Sequence, residues 1–195
     1  MKKVLIICCL FIVNMAVAQK FKVTEGSFKN LKGIATYDLV FDYENLKVDK
    51  FDTEEDFLKD KMAKREEKGT DEDFKKSWFS DRADRYEPKF IESFNKRFKK
   101  GEISVDKNNT AANYIMHIKT TWIYPGYNVG VMRQPAKINA TVTVYEKANP
   151  TNVLFKGDIS KVLGNGAAGF DYNSGYRISE AYALLAKILT KNIKK

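Results

Sequence analysis

The sequence predicts an α+β fold: a two-layer sandwich whose mainly antiparallel sheet carries helices on one face. Three observations lead there. Apolar and polar residues alternate with period 2 over 33–43, 113–124 and 137–145; the block 53–100 places its apolar residues at helical spacing; and 174–193 is one long amphipathic run. Strands grouped in sequence, with helices free to cover one face, give the order strand, helices, three strands, helix.

The chain begins with Lys2 and Lys3, the apolar run Val4–Val13 and Ala16-Val17-Ala18. A positive start, a short apolar core and an A-x-A site are the three parts that export machinery and signal peptidase read. A signal peptide over 1–18, cleaved after Ala18, is therefore expected, with a periplasmic or secreted protein as the product. The apolar run falls short of the roughly 20 residues that cross a bilayer, so no stable membrane span is expected after processing. Cys8 and Cys9 sit inside that run, close behind the lysines and with no small residues before them. That placement argues against a lipidated cysteine.

Residues 19–32 show little periodicity and read as a lead-in. From Gly33, the residues Ala35, Tyr37, Leu39, Phe41 and Tyr43 line one face of a strand, opposite Thr36, Asp38 and Asp42. In the helical block Thr53 and Asp56 form a capping box, Gly69 interrupts, and Asp71 can cap a second helix containing Phe74, Trp78 and Phe79. Pro88 is a helix breaker, and Phe90, Ile91, Phe94 and Phe98 then recur at helical spacing with Gly101 as a stop. Core packing is the reading of that stripe. Strands return at 113–124, ended by Pro125-Gly126, and at 137–145, with Asn149-Pro150 as the next turn and 153–162 as a hairpin partner. A glycine-rich loop at 164–175 precedes the last helix, Ser174–Ile193, which turns Ile178, Tyr182, Leu185 and Leu189 to one side. No linker or repeat divides residues 19–195, which read as a single domain.

Composition narrows the chemistry. Both cysteines lie in the signal segment, so the processed chain has neither disulfide nor thiol nucleophile. The full chain carries 34 Lys and Arg against 25 Asp and Glu, a net +9; without Lys2 and Lys3 the balance is 32 against 25, or +7. A basic exported protein suits anionic surfaces such as phospholipid headgroups or acidic glycans, although well-mixed charges also serve solubility alone.

No catalytic residue, metal ligand set or cofactor is assigned. His117 is the lone histidine and reads as structural, in a strand where Ile115, Lys119, Thr121 and Ile123 continue its face. Asp38 and Asp42 share a strand face and could form a hydrolytic carboxylate pair, but same-face aspartates on a solvated strand are commonplace. Gly164, Gly166 and Gly169 match G-x-G-x-x-G, yet the helix begins too late and no strand follows it, so a flexible loop is expected rather than a dinucleotide site. Two aromatic loops remain as candidate ligand sites. One holds Trp122, Tyr124 and Tyr127, with Arg133 nearby; the other holds Tyr172, Tyr176 and Arg177. Aromatic faces beside arginine suit sugar rings and anionic groups, and the competing reading is that these rings close the ends of the core. Nucleic-acid binding has no recognisable module behind it.

The run Ala112-Asn113-Tyr114-Ile115-Met116-His117-Ile118-Lys119-Thr120-Thr121-Trp122-Ile123-Tyr124-Pro125-Gly126-Tyr127-Asn128 resembles a family of uncharacterised exported proteins of Gram-negative gut bacteria. In layout, residues 110–195 are similar to small periplasmic α/β domains of envelope lipoproteins, such as LpoB and the amino-terminal domain of TolB. The resemblance implies a cell-envelope binding or accessory module, contacting a protein partner or an anionic envelope polymer. The alternative from the residues themselves is a carboxylate-dependent glycan or cell-wall hydrolase.

Overall fold

The computed structural model describes residues 20–165 and 172–194; residues 1–18, where a signal peptide is expected, and residues 166–169 of the glycine-rich loop lie outside the described residues. The protein mixes helix and strand around a core that is mainly sheet. In chain order the elements are β1 (Lys20–Gly26), β2 (Thr36–Asp42), β3 (Lys47–Val48), α1 (Glu54–Ala63), α2 (Asp71–Asp81), α3 (Glu87–Asn95), β4 (Ser104–Lys107), β5 (Tyr114–Tyr124), β6 (Tyr127–Asn128), β7 (Arg133–Gln134), β8 (Ala136–Glu146), β9 (Asn149–Gly164) and α4 (Ser174–Ile193). The main sheet runs β1-β9-β8-β5-β2-β4, with β3 beside β5 beyond the end of β2. Pairing is antiparallel from β1 to β5 and parallel among β5, β2 and β4. Strands β6 and β7 form a hairpin apart from it.

Several elements differ from the sequence expectation, each for a local reason. The lead-in at 19–32 contains β1, an edge strand that turns only Phe21 inward, against Phe28 and Phe155, so no alternation betrays it. Its lysines suit an unpaired edge. β2 joins β5 in parallel because the intervening helices carry the chain back across, as a parallel connection requires. The second helix is preceded by Thr70, and neither Thr70 nor Asp71 makes a side-chain cap, whereas Thr53 accepts from the Asp56 amide at 3.1 Å as anticipated. Pro88 breaks nothing: a π-turn at 82–86 links α2 to α3, and Pro88 falls in the first turn of α3, where its missing N–H has no partner to lose. That helix ends at Asn95 rather than Gly101, since the Asn95 side chain leaves to bond both the N–H and the carbonyl of Val105, each at 2.9 Å. The β8–β9 turn is Lys147-Ala148, with Asn149 and Pro150 already inside β9.

A register shift between Thr120 and Trp122 makes the largest correction. Before this bulge Met116, Ile118 and Thr120 are buried; after it Ile123 is. One extra residue reverses which side chains face the core, so Ile123 does not share a face with His117, and Trp122 and Tyr124 do.

The core gathers Met116, Ile118 and Ile123 of β5, Ile138, Val142 and Val144 of β8, and Phe155, Ile159 and Val162 of β9 against α4, which supplies Ile178, Tyr182, Leu185 and Leu189. Helix α3 lies along α4 and adds Phe90 and Phe94. Two glycines fix where α4 begins. A Cβ on Gly164 would stand 1.9 Å from the carbonyl oxygen of Arg177, and one on Gly175 would stand 1.9 Å from Oδ2 of Asp81. Strand β9 thus approaches the first turn of α4 as closely as backbone allows, which is the use of Gly164, while Gly175 leaves room for the Asp81 carboxylate of α2.

Tyr182 is the polar centre of this core. It is fully buried, its ring stacks on Tyr86 at 5.4 Å, and its hydroxyl lies 2.6 Å from that of Thr120. Burial pushes the Tyr182 phenol from 10.0 up to about 12, and pushes Tyr37, Tyr43 and Tyr86 up as well. The folded state therefore resists losing these protons, while the unfolded chain gives them up near pH 10. The stability they carry is complete below pH 10 and is lost as pH rises toward 12. The free energy of unfolding in urea should fall across that window, by about 3 kcal/mol from Tyr182 alone at about 1.4 kcal/mol per pH unit, and the midpoint with it. A flat midpoint from pH 9 to 12 would contradict the burial of this cluster.

Candidate aromatic and cationic recess

Part of each aromatic loop meets at one end of the sheet. Tyr124 and Tyr127 stand on one side of a recess of about 400 Å³, with Tyr172, Ser174 and Arg177 from the entry to α4 on another. The third wall comes from the α1–α2 pair: Phe57, Lys61, Arg65 and Phe74, with Asp49 below. Sequence reasoning missed Lys61 and Arg65. Their spacing of four on α1 and its end puts them on one helical face, which is the signal that could have found them.

Each wall has a local cause. Helix α1 starts at its Thr53 cap, and Gly69, in the left-handed region at φ 62°, lets the chain turn so that α2 brings Phe74 beneath Arg65. The Arg65 guanidinium lies 4.2 Å from the centre of the Phe74 ring and donates to the Lys61 carbonyl at 2.8 Å. The ring face and the carbonyl hold this cation in place with its outer edge toward the recess. Lys61 pairs with Asp60 at 3.2 Å. The opposite wall hangs on Arg177, only 4 % exposed, which donates from Nε to the Pro125 carbonyl and from Nη2 to the Gly126 carbonyl, both at 3.1 Å. Gly126 is required between them, because its φ is +66° and a Cβ would stand 2.4 Å from the Gln134 carbonyl oxygen.

Charge in the recess is asymmetric. Lys61, Arg65 and Arg177 face a single carboxylate, Asp49, among the described lining residues. Burial raises the Tyr124 phenol above its ordinary range, with Asp49 and Tyr127 adding to the effect and Arg177 opposing it. The hydroxyl stays protonated at neutral pH and available as a donor. Aromatic faces, protonated phenols and cations together can take a ring bearing phosphate or carboxylate.

The remaining predicted residues lie outside this recess. Trp122 donates from Nε1 to the Asp49 carbonyl at 2.9 Å and stacks on Tyr124 at 6.2 Å, so it supports the wall from behind. Arg133 sits in β7, exposed, and Tyr176 lines a separate hollow with Arg85 and Lys89.

Asp38 and Asp42 do share the face of β2 opposite the helices, but each already has cationic partners. Asp38 is held by Lys147 Nζ at 2.9 Å and by the Asn109 amide at 3.0 Å. Asp42 receives the Glu44 amide at 2.7 Å, with Lys119 at 3.1 Å and His117 at 3.5 Å. Burial works against ionisation of Asp42, yet the Glu44 amide and Lys119 outweigh it and hold the carboxyl below its usual range. Burial lowers the His117 imidazole despite Asp42, with Lys119 adding to the shift. Among the described residues no group of three or more His, Cys, Asp or Glu could hold a metal ion, and no helix is long and apolar enough to cross a membrane. Comparison with protein-family models, curated proteins and solved structures found no match to this chain.

Proposed function

We propose that the protein is an exported, non-catalytic cell-envelope module that binds an anionic envelope polymer in the recess between Tyr124, Tyr127, Tyr172, Lys61 and Arg65. The observation that carries this reading is the convergence of aromatic rings from two distant loops on a pair of helix cations. Export rests on the signal segment at 1–18, and a periplasmic or secreted location follows from it. A two-layer α+β sandwich is the layout we propose for its scaffold, as in the small envelope-lipoprotein domains it resembles. The hydrolase alternative draws no support from Asp38 and Asp42, whose oxygens are engaged by Lys147, Lys119 and backbone amides.

The test uses a lipid-free, phosphorylated core oligosaccharide of lipopolysaccharide, measured by calorimetry against its dephosphorylated form. Reversing both cations (Lys61→Glu with Arg65→Glu) should weaken binding of the phosphorylated probe by at least about 10-fold, since losing even about 1.4 kcal/mol has that effect. Circular dichroism checks that the variant is folded. Equal binding by variant and parent, or by the two forms of the probe, would sink the assignment.

A further inference from the structure

The β6–β7 hairpin carries the most exposed apolar side chains of the described residues: Val131 at 94 %, Val129 at 63 % and Met132 at 60 %. We propose that this hairpin tip inserts into the headgroup boundary of an anionic lipid bilayer and docks the protein there. The idea goes beyond polymer binding and does not depend on it.

Four features of the hairpin support insertion. Apolar side chains placed at a protruding tip are exposed at a cost that a bilayer removes. Three of the tip's amides are already satisfied: Val129 N–H donates to the Met132 carbonyl at 3.0 Å, Gly130 N–H to Asn128 Oδ1 at 2.9 Å, and Val131 N–H to the Val129 carbonyl at 3.1 Å. Those donors need no water, which lowers the cost of entering an apolar medium. The base is rigid, because Arg177 holds the Pro125 and Gly126 carbonyls and so fixes the direction in which the tip projects. Tyr127 at the root and Tyr172 beside the same recess are both exposed, and such rings settle at the membrane–water interface.

Charge selects the kind of bilayer. Between Asp106 and Glu146 the chain has no Asp or Glu; Lys107 and Lys119 in that span pair with Glu87 and Asp42, while Arg133 and Lys137 lie in and beside the hairpin. The hairpin carries Arg133 and no carboxylate, and Lys137 follows at the start of β8, so the tip can approach a negative surface with no acid of its own in the way. Three apolar side chains alone make a weak anchor, so the basic flank must supply the rest, as it does when a single lipid chain needs a polybasic partner.

The decisive measurement is co-sedimentation of the folded protein with vesicles of phosphatidylethanolamine and phosphatidylglycerol, against vesicles of phosphatidylcholine. Binding should appear on the first, be weak on the second and fall with added salt. The V131D/M132D variant should lose about 10-fold or more of that binding while its melting curve stays unchanged, because neither side chain packs on the core. M132W gives a direct readout, its emission shifting to the blue when the tip enters the lipid. Absence of binding to the phosphatidylglycerol vesicles, full binding by V131D/M132D, or an unshifted M132W emission would each overturn the proposal. The same V131D/M132D variant should bind the lipid-free oligosaccharide like the parent, so failure here and failure of the polymer reading are separable.

Discussion

Tyr182→Ala is expected to destabilise the protein by about 4 kcal/mol, the range for removing a large buried aromatic. The side chain is inaccessible and stacks on Tyr86 with ring planes only 7° apart. It also lies 6.4 Å from Phe41 across the boundary between α4 and β2. Truncation would open a cavity where helix and sheet meet, and would strand the Thr120 hydroxyl, which is buried with it. Two further variants separate those contributions. Tyr182→Phe keeps the ring and should cost about 1–2 kcal/mol, the penalty for an unpaired buried hydroxyl on Thr120. Combining it with Thr120→Val removes both partners and should recover most of that loss. Chemical unfolding of the parent, Tyr182→Phe, Thr120→Val and the double variant gives the cycle, and additive losses in the double variant would show that the two hydroxyls do not interact.

The second large effect concerns Arg177. A cation in the first turn of a helix opposes the helix dipole, and this one is almost wholly buried, so its position is costly unless its hydrogen bonds compensate. They reach two successive carbonyls at the root of the hairpin. Arg177→Met retains much of the volume while leaving those carbonyls without their donor, and should cost about 3 kcal/mol. The loss should not be confined to global stability. Amides of residues 126–134 should exchange faster with solvent than those of β8 in the same variant. Binding of the phosphorylated oligosaccharide should weaken too, because Tyr127 moves with the turn. Uniform loss of protection along the chain would mean that Arg177 supports the fold in general and not this turn in particular.

What could be read from the sequence was governed by how far the causes lie from one another along the chain. Helix α4 was legible to the residue at both ends, since its apolar stripe is local and continuous, and the structure adds the Asn173 cap at its start. The long strands β5 and β8 were legible for the same reason. The edge strand β1 was not, because an edge with one inward aromatic has no period to detect. Parallel pairing of β2 with β5 depends on a crossover of helices, and no dipeptide signals it. The bulge near Thr121 is one inserted residue within a run that otherwise alternates, yet it decides that Trp122 and Tyr124 share a face with His117. In the recess, Tyr124, Tyr127, Tyr172 and Arg177 were recognisable by type. Lys61 and Arg65 were hidden among many solvated lysines and arginines until folding brought α1 alongside the Tyr124–Tyr127 turn.

The pairing of β1 with β9 bears on the order in which the sheet can assemble. Lys20 meets Ser160, and Gly26 meets Phe155, so β1 finds its partner roughly 130–140 residues further along the chain. Contacts between such distant segments close slowly, because the loop entropy is lost before any pairing energy is gained. The early segment has little apolar surface to stick with while it waits, since β1 turns only Phe21 inward. Its lysines keep the unpaired edge soluble during that interval. The β1–β9 edge is thus expected to close late in folding, after the hairpin pairings of β5, β8 and β9 have formed.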